Sequence, residues 1–363
     1  MKIRVLHITQ ALGGIKTYFS QIVTHIDKSK FEISLIAPHD SELAELCAVN
    51  GIVYHSLNIR RQVHPVYDPY HFIRILLLIK KTKPGIIHCH SAKGGMLSKL
   101  SSYFHGVAVV FTPNAFSYLS FVGFKRVLFY LLEYFSKKRV RKLLAVSYSE
   151  HDRALHELNY RQDQISVVLN SIKIQDAPVR DFEKCDQIGM IGRLTHQKNP
   201  LFFLEVARRI QEIYPNIQFK LLGAGYHDHL KKAALKFIEE NQLNNIQIVS
   251  WGQYQLETFY KELDIFILTS SFEGLPFSLL EAMSYKLPCI ATNVDGNKDV
   301  IKHGQNGFLA NSVEEFVSQL VLLIQSNQLR EQLGNSGYCY VKKFHNSEIN
   351  IKKIEHLYET LNG

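Results

Sequence analysis

The sequence is poor in the features of secreted, disulfide-held or membrane-spanning proteins. Its five cysteines are scattered along 363 residues and form no CxxC pair, which argues against a disulfide scaffold and a structural zinc site. No apolar run approaches the roughly 20 residues that cross a bilayer. The opening stretch "MKIRVLHITQ" has too short an apolar segment for a signal peptide and predicts a first strand. We therefore expect a cytoplasmic protein with reduced thiols.

Positive charge is concentrated in the first half of the chain. Residues 1–170 contain 22 Lys and Arg against 11 Asp and Glu, whereas residues 171–363 contain 20 against 22. A basic balance suits nucleic acid, an anionic membrane or an anionic substrate. Nucleic acid is the least favoured of these, because the sequence has no RNA- or DNA-binding motif and a single basic cluster. The asymmetry predicts that the two halves meet different partners.

Short β-branched runs alternate with amphipathic helical patterns along most of the chain, which predicts parallel sheets with helices on both faces. The series restarts after a polar connection near 171–184, so we expect an α/β protein with two Rossmann-like domains. The first is predicted over 1–170 together with a last helix at about 345–363, and the second over 171–344. In such sheets ligands bind on the loops that follow the strands. The strands predicted in the first half span 2–9, 31–37, 52–55, 86–89, 107–111, 142–146 and 165–168.

Two glutamates bracket a strand-to-helix connection in the stretch "SSFEGLPFSLLEAM". Glu273 lies on the predicted loop, and Glu281 lies in the second turn of a helix that starts near Pro276, where proline is well tolerated. The unpaired N–H groups at 277–280 form an anion site, and carboxylates beside it would accept hydrogen bonds from hydroxyl groups. A helix-cap neighbour and a solvated helix residue are the alternatives.

Three further loops carry candidate ligand-binding residues. The stretch "GRLTHQKNP" supplies Arg193 and Lys198, two cations beside a glycine, which suits a diphosphate. Two solvated basic side chains are the alternative. Gly13 and Gly14 precede the first predicted helix, and Gly223 lies in a Gly-x-Gly turn. At each of these glycines the lack of a side chain would let a ligand approach the backbone; the alternative is that the glycine only permits a tight turn.

His88 and His90 are predicted on one face at the carboxyl end of a strand. A metal site would need a third ligand, and no spacing in the sequence supplies one. Packed or hydrogen-bonded histidines are therefore favoured, and no metal site is predicted.

Residues 121–144 combine seven Lys and Arg with one glutamate and many large apolar side chains. This pattern is typical of a helix that lies on anionic lipid. A core-facing helix with a solvated basic end is the alternative. The predicted apolar face comprises Phe121, Phe124, Leu128 and Leu131, bordered by Lys125 and Arg126.

Together these features resemble the GT-B glycosyltransferases of glycosyltransferase family 4 over nearly the whole chain. The resemblance implies transfer of a sugar with retention of anomeric configuration, without a protein nucleophile, a metal ion or another cofactor. The absence of an Asp-x-Asp motif from the sequence agrees with a reaction that needs no metal ion. The motifs that carry the resemblance are "GG" at 13–14, "IIHCHSAKGG", "FTPNAFSYL", "VVLNSI", "GRLTHQKNP", "LLGAG", "EGLPFSLLEAM" and "GQNGFLA".

The resemblance also implies roles for individual residues. Glu281 would accept hydrogen bonds from the ribose of a nucleotide sugar, and Glu273 would contact the transferred sugar. Arg193 and Lys198 would neutralise the diphosphate. The other residues expected to bind the donor are Gly13, Gly14, Gly223, Gly274, Leu275, Pro276, Phe277, Ser278 and Leu279.

One position departs from the family pattern. Relatives commonly have a histidine where "TPNAF" places Asn114, which can form hydrogen bonds but cannot become cationic. Either the surroundings of the sugar's C6 hydroxyl differ, or His90 lies closer to the sugar than usual. Both residues are therefore predicted to contact the reacting sugar.

The first half is most similar to bacterial enzymes that extend lipid-linked saccharides for capsule, exopolysaccharide or O-antigen. We expect a hexose or N-acetylhexosamine to pass from a UDP-sugar to an undecaprenyl-diphosphate-linked acceptor. The expected location is the inner face of the cell membrane, bound peripherally through residues 121–144. The alternatives are a non-hydrolysing UDP-N-acetylglucosamine 2-epimerase and a catalytically silent nucleotide-sugar-binding scaffold.

Overall fold

The structure is a computed structural model that describes residues 2–10, 13–60, 64–176, 179–225 and 228–362. The chain divides into two compact units, Met1–Lys173 with Asn346–Gly363 and Ile174–His345, which we call the first and the second unit. Some residues of predicted features lie outside the described ranges. These are Ala11 and Leu12 of the glycine loop, Ala177 and Pro178 of the connection, Tyr226 and His227 after Gly225, and Gly363 of the last helix.

The first unit contains a seven-stranded parallel sheet. Its strands are β1 (Ile3–Ile8), β2 (Phe31–Ala37), β3 (Val53–Ser56), β4 (Ile86–His90), β5 (Ala108–Thr112), β6 (Lys142–Ala145) and β7 (Ile165–Val167). They lie in the order β3-β2-β1-β4-β5-β6-β7. At the centre, Val5 of β1 pairs with Ile33 on one side and Ile86 on the other. Each strand predicted in this half is present, because buried β-branched runs bounded by polar residues are a strong strand signal.

The helices of the first unit cover its sheet. They are α1 (Gly14–His25), α2 (Ser41–Val49), α3 (Tyr67–Thr82), α4 (Ala92–Ser101), α5 (Gly123–Ser136), α6 (Tyr148–Asp152) and the last helix of the chain, α14 (Ser347–Asn362). Helix α14 packs on α1, β1 and β4. Its Glu355 accepts a hydrogen bond of 2.6 Å from the amide of Asp27, and its Tyr358 is fully buried.

The second unit contains a six-stranded parallel sheet in the order β10-β9-β8-β11-β12-β13, where β8 is Gln187–Ile191, β9 is Gln218–Ala224, β10 is Ile246–Ser250, β11 is Ile265–Leu268, β12 is Cys289–Thr292 and β13 is Phe308–Ala310. The predicted pair of Rossmann-like sheets is thus confirmed. Strand β13 was not predicted, because three residues are too few to show a period of two. It is identified only by its pairing, for example Leu309 with Ala291.

Two helices of the second unit show clear start signals. Helix α7 starts at Pro200, the first helical position that proline favours. Ser326 caps α13 by accepting a hydrogen bond of 3.2 Å from the amide of Leu329. The full set is α7 (Pro200–Ile213), α8 (Lys231–Glu240), α9 (Leu256–Glu262), α10 (Phe277–Ser284), α11 (Asn297–Val300), α12 (Val313–Gln325) and α13 (Asn327–Phe344).

In both sheets the strand order reverses next to the first strand of the unit. The reversal lies between β1 and β4 in the first unit and between β8 and β11 in the second. The connections after such neighbouring strands diverge to opposite faces of the sheet and leave a crevice where ligands bind. The predicted residues on or directly after these strands are Gly13, Gly14, His90, Arg193, Lys198 and Glu273.

Candidate functional site

Two loops at the reversal point of the second unit are bonded to each other. We call residues 192–199, after β8, the cation loop and residues 269–276, after β11, the glutamate loop. Thr269 Oγ1 donates to the carbonyl oxygens of Lys198 and Asn199 at 3.0 and 3.1 Å. The Ser271 amide also donates a hydrogen bond of 2.7 Å to the carbonyl oxygen of Gln197. The predicted cations and the predicted glutamate are therefore held side by side.

Lys198 and Glu273 form a largely enclosed ion pair between these loops. Lys198 Nζ lies 2.6 Å from Glu273 Oε1, and the side chains are only 15% and 8% exposed. A surface pair would be screened by water, whereas a pair this enclosed keeps both groups in fixed positions. Arg193 lies on the same cation loop and is partly buried. The resemblance implies neighbouring ligand contacts for these residues, and the structure places Lys198 against Glu273, with Arg193 on the same loop as Lys198.

Glu281 sits in the second turn of α10, as predicted, but it is not a solvated helix residue. Tyr260 donates a hydrogen bond of 2.7 Å to Glu281 Oε2, and the Tyr260 ring stacks on Tyr285 with 5.3 Å between ring centroids. Burial raises the pKa of Glu281 to about 7, although the bond from Tyr260 partly offsets this. A carboxylate in this setting gains from any further hydrogen-bond donor that a ligand supplies.

Two glycine contacts shape the loops around the ion pair. A Cβ on Gly223, which has φ of +149°, would lie 2.2 Å from the carbonyl oxygen of Gly192 at the start of the cation loop. A Cβ on Gly296, with φ of +80°, would lie 2.7 Å from the carbonyl oxygen of Gly274. The close approach to Gly192 therefore explains a glycine at position 223 without any contact to a ligand. Gly296 was missed, because a lone glycine between unrelated residues carries no sequence signal.

Helix α10 directs its first amides toward the end of the glutamate loop. The N–H groups of Phe277, Ser278 and Leu279 have no acceptor within the helix, as in any helix first turn. The N–H of Leu280, also predicted to be unpaired, instead donates to the Pro276 carbonyl oxygen at 3.3 Å. Pro276 precedes the helix and has no N–H, so it can shape the loop but cannot donate to a ligand. Gly274 and Leu275, also predicted to bind the donor, lie on the loop and are buried.

Three buried hydroxyl groups on these segments lack a hydrogen-bond partner among the described residues. They belong to Thr195 on the cation loop, Ser270 on the glutamate loop and Ser278 in the first turn of α10. Buried hydroxyls are normally paired, so a cluster of unpaired ones points to a ligand or ordered water. Only Ser278 was predicted, because serine and threonine in loops are too common to stand out.

The predicted glycines and Asn114 of the first unit lie at its β1–α1 and β5–α5 connections, whereas the predicted His90 ends β4. Gly13, with φ of +85°, precedes Gly14 at the start of α1. Asn114 and Ala115 follow β5 and have φ of +52° and +75°, a conformation that costs about 1–3 kcal/mol for a residue such as alanine. The buried carboxylate of Glu150, which was not predicted, accepts a hydrogen bond of 2.5 Å from the Ala115 amide.

Asn114 keeps hydrogen-bonding capacity for a ligand. Its Nδ2 atom is buried and has no partner among the residues that the structure describes. In the sheet, His90 at the end of β4 pairs with Thr112 at the end of β5, two residues before Asn114. The two candidates for sugar contact therefore leave neighbouring strands at the same edge of the sheet.

A third histidine joins the predicted pair. His7 on β1 has Nδ1 3.0 Å from His90 Nε2, and one nitrogen from each of His7, His88 and His90 lies within 4.8 Å of the others. The sequence spacing missed His7, because only strand pairing brings it beside His88. Both nitrogens of His88 already meet hydroxyl groups, at 2.5 Å for Tyr358 and 2.8 Å for Thr112. A metal ion would have to displace one of these bonds.

Helix α5 exposes its apolar side chains and buries its only acidic residue. The exposed fractions of Phe124 and Phe135 are 81% and 61%. Glu133, the buried residue of this helix, is 2.8 Å from Lys99 Nζ. Phe121 is an exception to the predicted face, because it precedes the helix and stacks on Phe129 at 4.3 Å. The opposite side of the helix faces the core, where Phe129, Tyr130 and Tyr134 pack, so the structure contains features of both predicted alternatives. Exposed apolar residues on or beside α5 also include Val122, Val127, Leu128, Leu131 and Leu132.

Across the described part of the chain, the helices are too short or too polar to pass through a bilayer.

Two family models match adjacent parts of the chain. The model for "Glycosyl transferases group 1" matches residues 172–339, and the model for "Glycosyltransferase Family 4" matches residues 12–176. The second unit contains nearly all of the first match, and the first unit contains most of the second.

Similar proteins include bacterial enzymes of polysaccharide synthesis. The chain is 28% identical to the UDP-Gal:alpha-D-GlcNAc-diphosphoundecaprenol alpha-1,3-galactosyltransferase of Escherichia coli, over 98% of this chain and 97% of the relative. It is 20% identical to the capsular polysaccharide biosynthesis glycosyltransferase CapM of Staphylococcus aureus, over 98% and 97%. Among solved structures, Anabaena Alr3699/HepE in complex with UDP and glucose superposes with a TM-score of 0.81 at 14% identity, over 99% of both chains. The last likeness shows a shared fold.

Proposed function

The chain belongs to glycosyltransferase family 4 and has the GT-B fold, and we propose that it transfers a hexose or N-acetylhexosamine from a UDP-sugar to an undecaprenyl-diphosphate-linked saccharide. The second unit would bind the donor and the first unit the acceptor, in the synthesis of a bacterial surface polysaccharide. The observation that carries the proposal is the largely enclosed pair of Lys198 and Glu273 between two loops at the reversal point of the sheet.

The proposed donor site follows from the order of groups in a nucleotide sugar. Lys198 and Arg193 neutralise the diphosphate, and Glu273 accepts hydrogen bonds from hydroxyls of the transferred sugar. The sugar and the diphosphate are covalently joined, so their binding groups have to be adjacent, and Lys198 and Glu273 are in contact at 2.6 Å. Glu281 accepts hydrogen bonds from the ribose. The amides of Phe277 to Leu279 add donors to the diphosphate.

We propose that departure of the nucleotide needs no metal ion. The leaving group is a nucleoside diphosphate, and fixed cations together with a helix N-terminus stabilise the charge that grows on it in the transition state. The sugar is proposed to leave and the acceptor to attack on the same face, with retention of configuration. The pairing of Glu273 with Lys198 supports a hydrogen-bonding role for this carboxylate rather than that of a covalent nucleophile.

The proposed acceptor agrees with the charge and the surface of the first unit. A lipid diphosphate is anionic and embedded in a membrane, and residues 1–170 carry the whole excess of positive charge. The Escherichia coli relative acts, by its name, on a saccharide linked to diphosphoundecaprenol. Asn114 and His90 are proposed to contact the reacting sugar.

Helix α5 is proposed to hold the protein on the inner face of the cell membrane. Phe124 and Phe135 are exposed beside the cations Lys125, Arg126 and Lys138, which are also exposed. Apolar side chains enter the headgroup region, and each cation near an anionic surface contributes about 1 kcal/mol. The ion pair of Glu133 with Lys99 anchors the opposite face of the helix to the unit.

A transfer assay tests the proposed reaction. A panel of UDP-sugars is offered with a synthetic polyprenyl-diphosphate N-acetylglucosamine acceptor, with EDTA present, and the new linkage is examined by NMR. We expect one UDP-sugar of the panel to support transfer. Its sugar is α-linked to UDP and should also be α-linked in the product, because the configuration is retained. Turnover of a UDP-sugar without acceptor would instead indicate an epimerase. Transfer only after Asn114→His would indicate that the natural chain is a silent scaffold.

Vesicle sedimentation tests the proposed membrane contact. Phe124→Ser/Phe135→Ser should bind phosphatidylglycerol-containing vesicles at least tenfold more weakly than the wild type. Ile213→Ser/Leu322→Ser removes two similarly exposed side chains from the second unit and should bind like the wild type. Equal binding by both double variants would contradict the role of α5.

A further inference from the structure

A continuous hydrogen-bond network runs through the core of the first unit and ends at His90. His90 Nε2 lies 3.0 Å from His7 Nδ1, and His7 Nε2 lies 3.4 Å from the hydroxyl of Tyr358 on α14. The same hydroxyl lies 2.5 Å from His88 Nδ1, and His88 Nε2 lies 2.8 Å from Thr112 Oγ1. Four contacts therefore join three strands and the last helix of the chain.

The three imidazoles in this network are neutral at physiological pH. Burial lowers the pKa of His7 to about 3 and lowers those of His88 and His90 well below the ordinary value. A neutral imidazole has one N–H and one acceptor nitrogen. Each contact between two ring nitrogens, or between a nitrogen and a hydroxyl, therefore needs one donor and one acceptor.

This requirement leaves the network two arrangements. If His90 donates from Nε2 to His7, then His7 donates to Tyr358, Tyr358 to His88 and His88 to Thr112. In that arrangement each histidine carries its proton on Nε2. In the reverse arrangement Thr112 donates to His88, and each histidine carries its proton on Nδ1. The hydroxyl oxygen of Tyr358 could accept from both histidines, but its single buried proton would then have no acceptor in the network, so pairing that proton gives His7 and His88 the same tautomer.

The free end of the network is His90 Nδ1. Of the six ring nitrogens in the three histidines, it is the one with no hydrogen-bond partner among the described residues, although the His90 side chain is only 1% exposed. A buried nitrogen without a partner is costly unless a ligand completes it. In the first arrangement this atom is an acceptor, and in the second it is an N–H donor.

We propose that Tyr358 and His7 are positioning residues that couple the tautomer of His90 to that of His88, so that His90 Nδ1 meets a hydroxyl of the substrate sugar as part of one connected hydrogen-bond network. The inference rests on the proposed function for the identity of the ligand, but the network itself does not. A sugar hydroxyl suits this atom, because it can donate or accept and carries no charge that the buried site would have to solvate. The last helix thereby acts on the sugar contact through two intervening side chains.

Nitrogen NMR of histidine-labelled protein tests the network directly, because protonated and unprotonated ring nitrogens resonate far apart. In the wild type we expect His7, His88 and His90 to be neutral and to carry their protons on the same ring position. A mixture of positions among the three residues would overturn the proposal. This measurement needs no variant and no donor, so its failure is distinct from a failure of the proposed function.

Tyr358→Phe breaks the network and keeps the aromatic ring. We expect the tautomers of His7 and His90 to become independent of that of His88 and the rate of sugar transfer to fall about tenfold, the worth of one hydrogen bond of about 1.4 kcal/mol. The affinity for UDP should not change, because the nucleotide is bound by the second unit in the proposed function. The matched control is Tyr160→Phe, which removes a buried hydroxyl that has no partner among the described residues and should leave tautomers and transfer unchanged. Unchanged histidine signals in Tyr358→Phe would overturn the proposal, as would a loss of stability with an unchanged transfer rate.

Discussion

Replacing Glu281 by glutamine should stabilise the second unit at high pH and not at low pH. Burial raises the pKa of this carboxyl from 4.5 to about 7. As the pH rises from 4.5 to 7, the unfolded chain loses this proton freely while the folded protein retains it, so stability falls over this range. The difference of about 2.5 pKa units corresponds to about 3 kcal/mol. Glutamine can still accept the hydrogen bond from Tyr260 but has no charge to bury.

The assay is urea unfolding followed by the fluorescence of Trp251, the single tryptophan of the chain, which lies in the second unit. Relative to the wild type, Glu281→Gln should gain up to about 3 kcal/mol between pH 4.5 and pH 8. Glu205→Gln is a control of opposite sign, because Arg208 and Arg209 lower the pKa of Glu205 to about 2. That variant should be less stable than the wild type above pH 4.5, by under about 1 kcal/mol, and should approach it as the pH falls toward 2. The reasoning is refuted if the Glu281→Gln difference is the same at pH 5 and pH 8.

Two further substitutions test the packing around the proposed sites. Gly223→Ala places a Cβ 2.2 Å from the carbonyl oxygen of Gly192. This clash should lower the melting temperature, destabilise the fold by about 1–3 kcal/mol and weaken UDP binding by displacing the cation loop. A variant that melts and binds UDP like the wild type would contradict that contact. Lys99→Met leaves Glu133 buried without its partner at 2.8 Å and should cost about 3–5 kcal/mol in urea unfolding. Adding Glu133→Gln should recover most of the loss, and a lack of recovery would show that the ion pair is not the cause.

The fold was largely predictable because its signals are local. Buried β-branched runs defined the strands of the first unit, and proline, serine and polar breaks marked the helix starts. Strand β13 is different, since its three residues, Phe308–Ala310, form a strand only because β12 offers an edge to pair with. Its existence depends on tertiary context that no local pattern contains.

The candidate site also contains residues with a local sequence signal and residues that only the tertiary structure brings in. Their positions after strands made Glu273, Glu281, Arg193 and Lys198 candidates, the family resemblance implied their roles, and the structure places Lys198 and Glu273 in contact. His7 could not, because its neighbour His88 is 81 residues away in the chain and the two meet only through the pairing of β1 with β4.

The contacts between loops and the burial of side chains also escaped prediction. The approach of Gly223 to Gly192 depends on the course of two separate loops. Helix α5 has apolar side chains on both its core-facing and its exposed side, so the sequence pattern does not tell which side is buried. The pairing of Glu133 with Lys99 decides that question.

Calorimetric titration of UDP, in the presence of EDTA, tests the central claim that two cations of the second unit bind the diphosphate. Arg193→Ala and Lys198→Ala should each weaken UDP binding at least tenfold, since a hydrogen bond to a charged group is worth about 1.5–3 kcal/mol. The control is Lys236→Ala, which removes an exposed cation paired with Glu240 on α8 and should leave binding unchanged. Wild-type affinity in Arg193→Ala and Lys198→Ala would contradict the account.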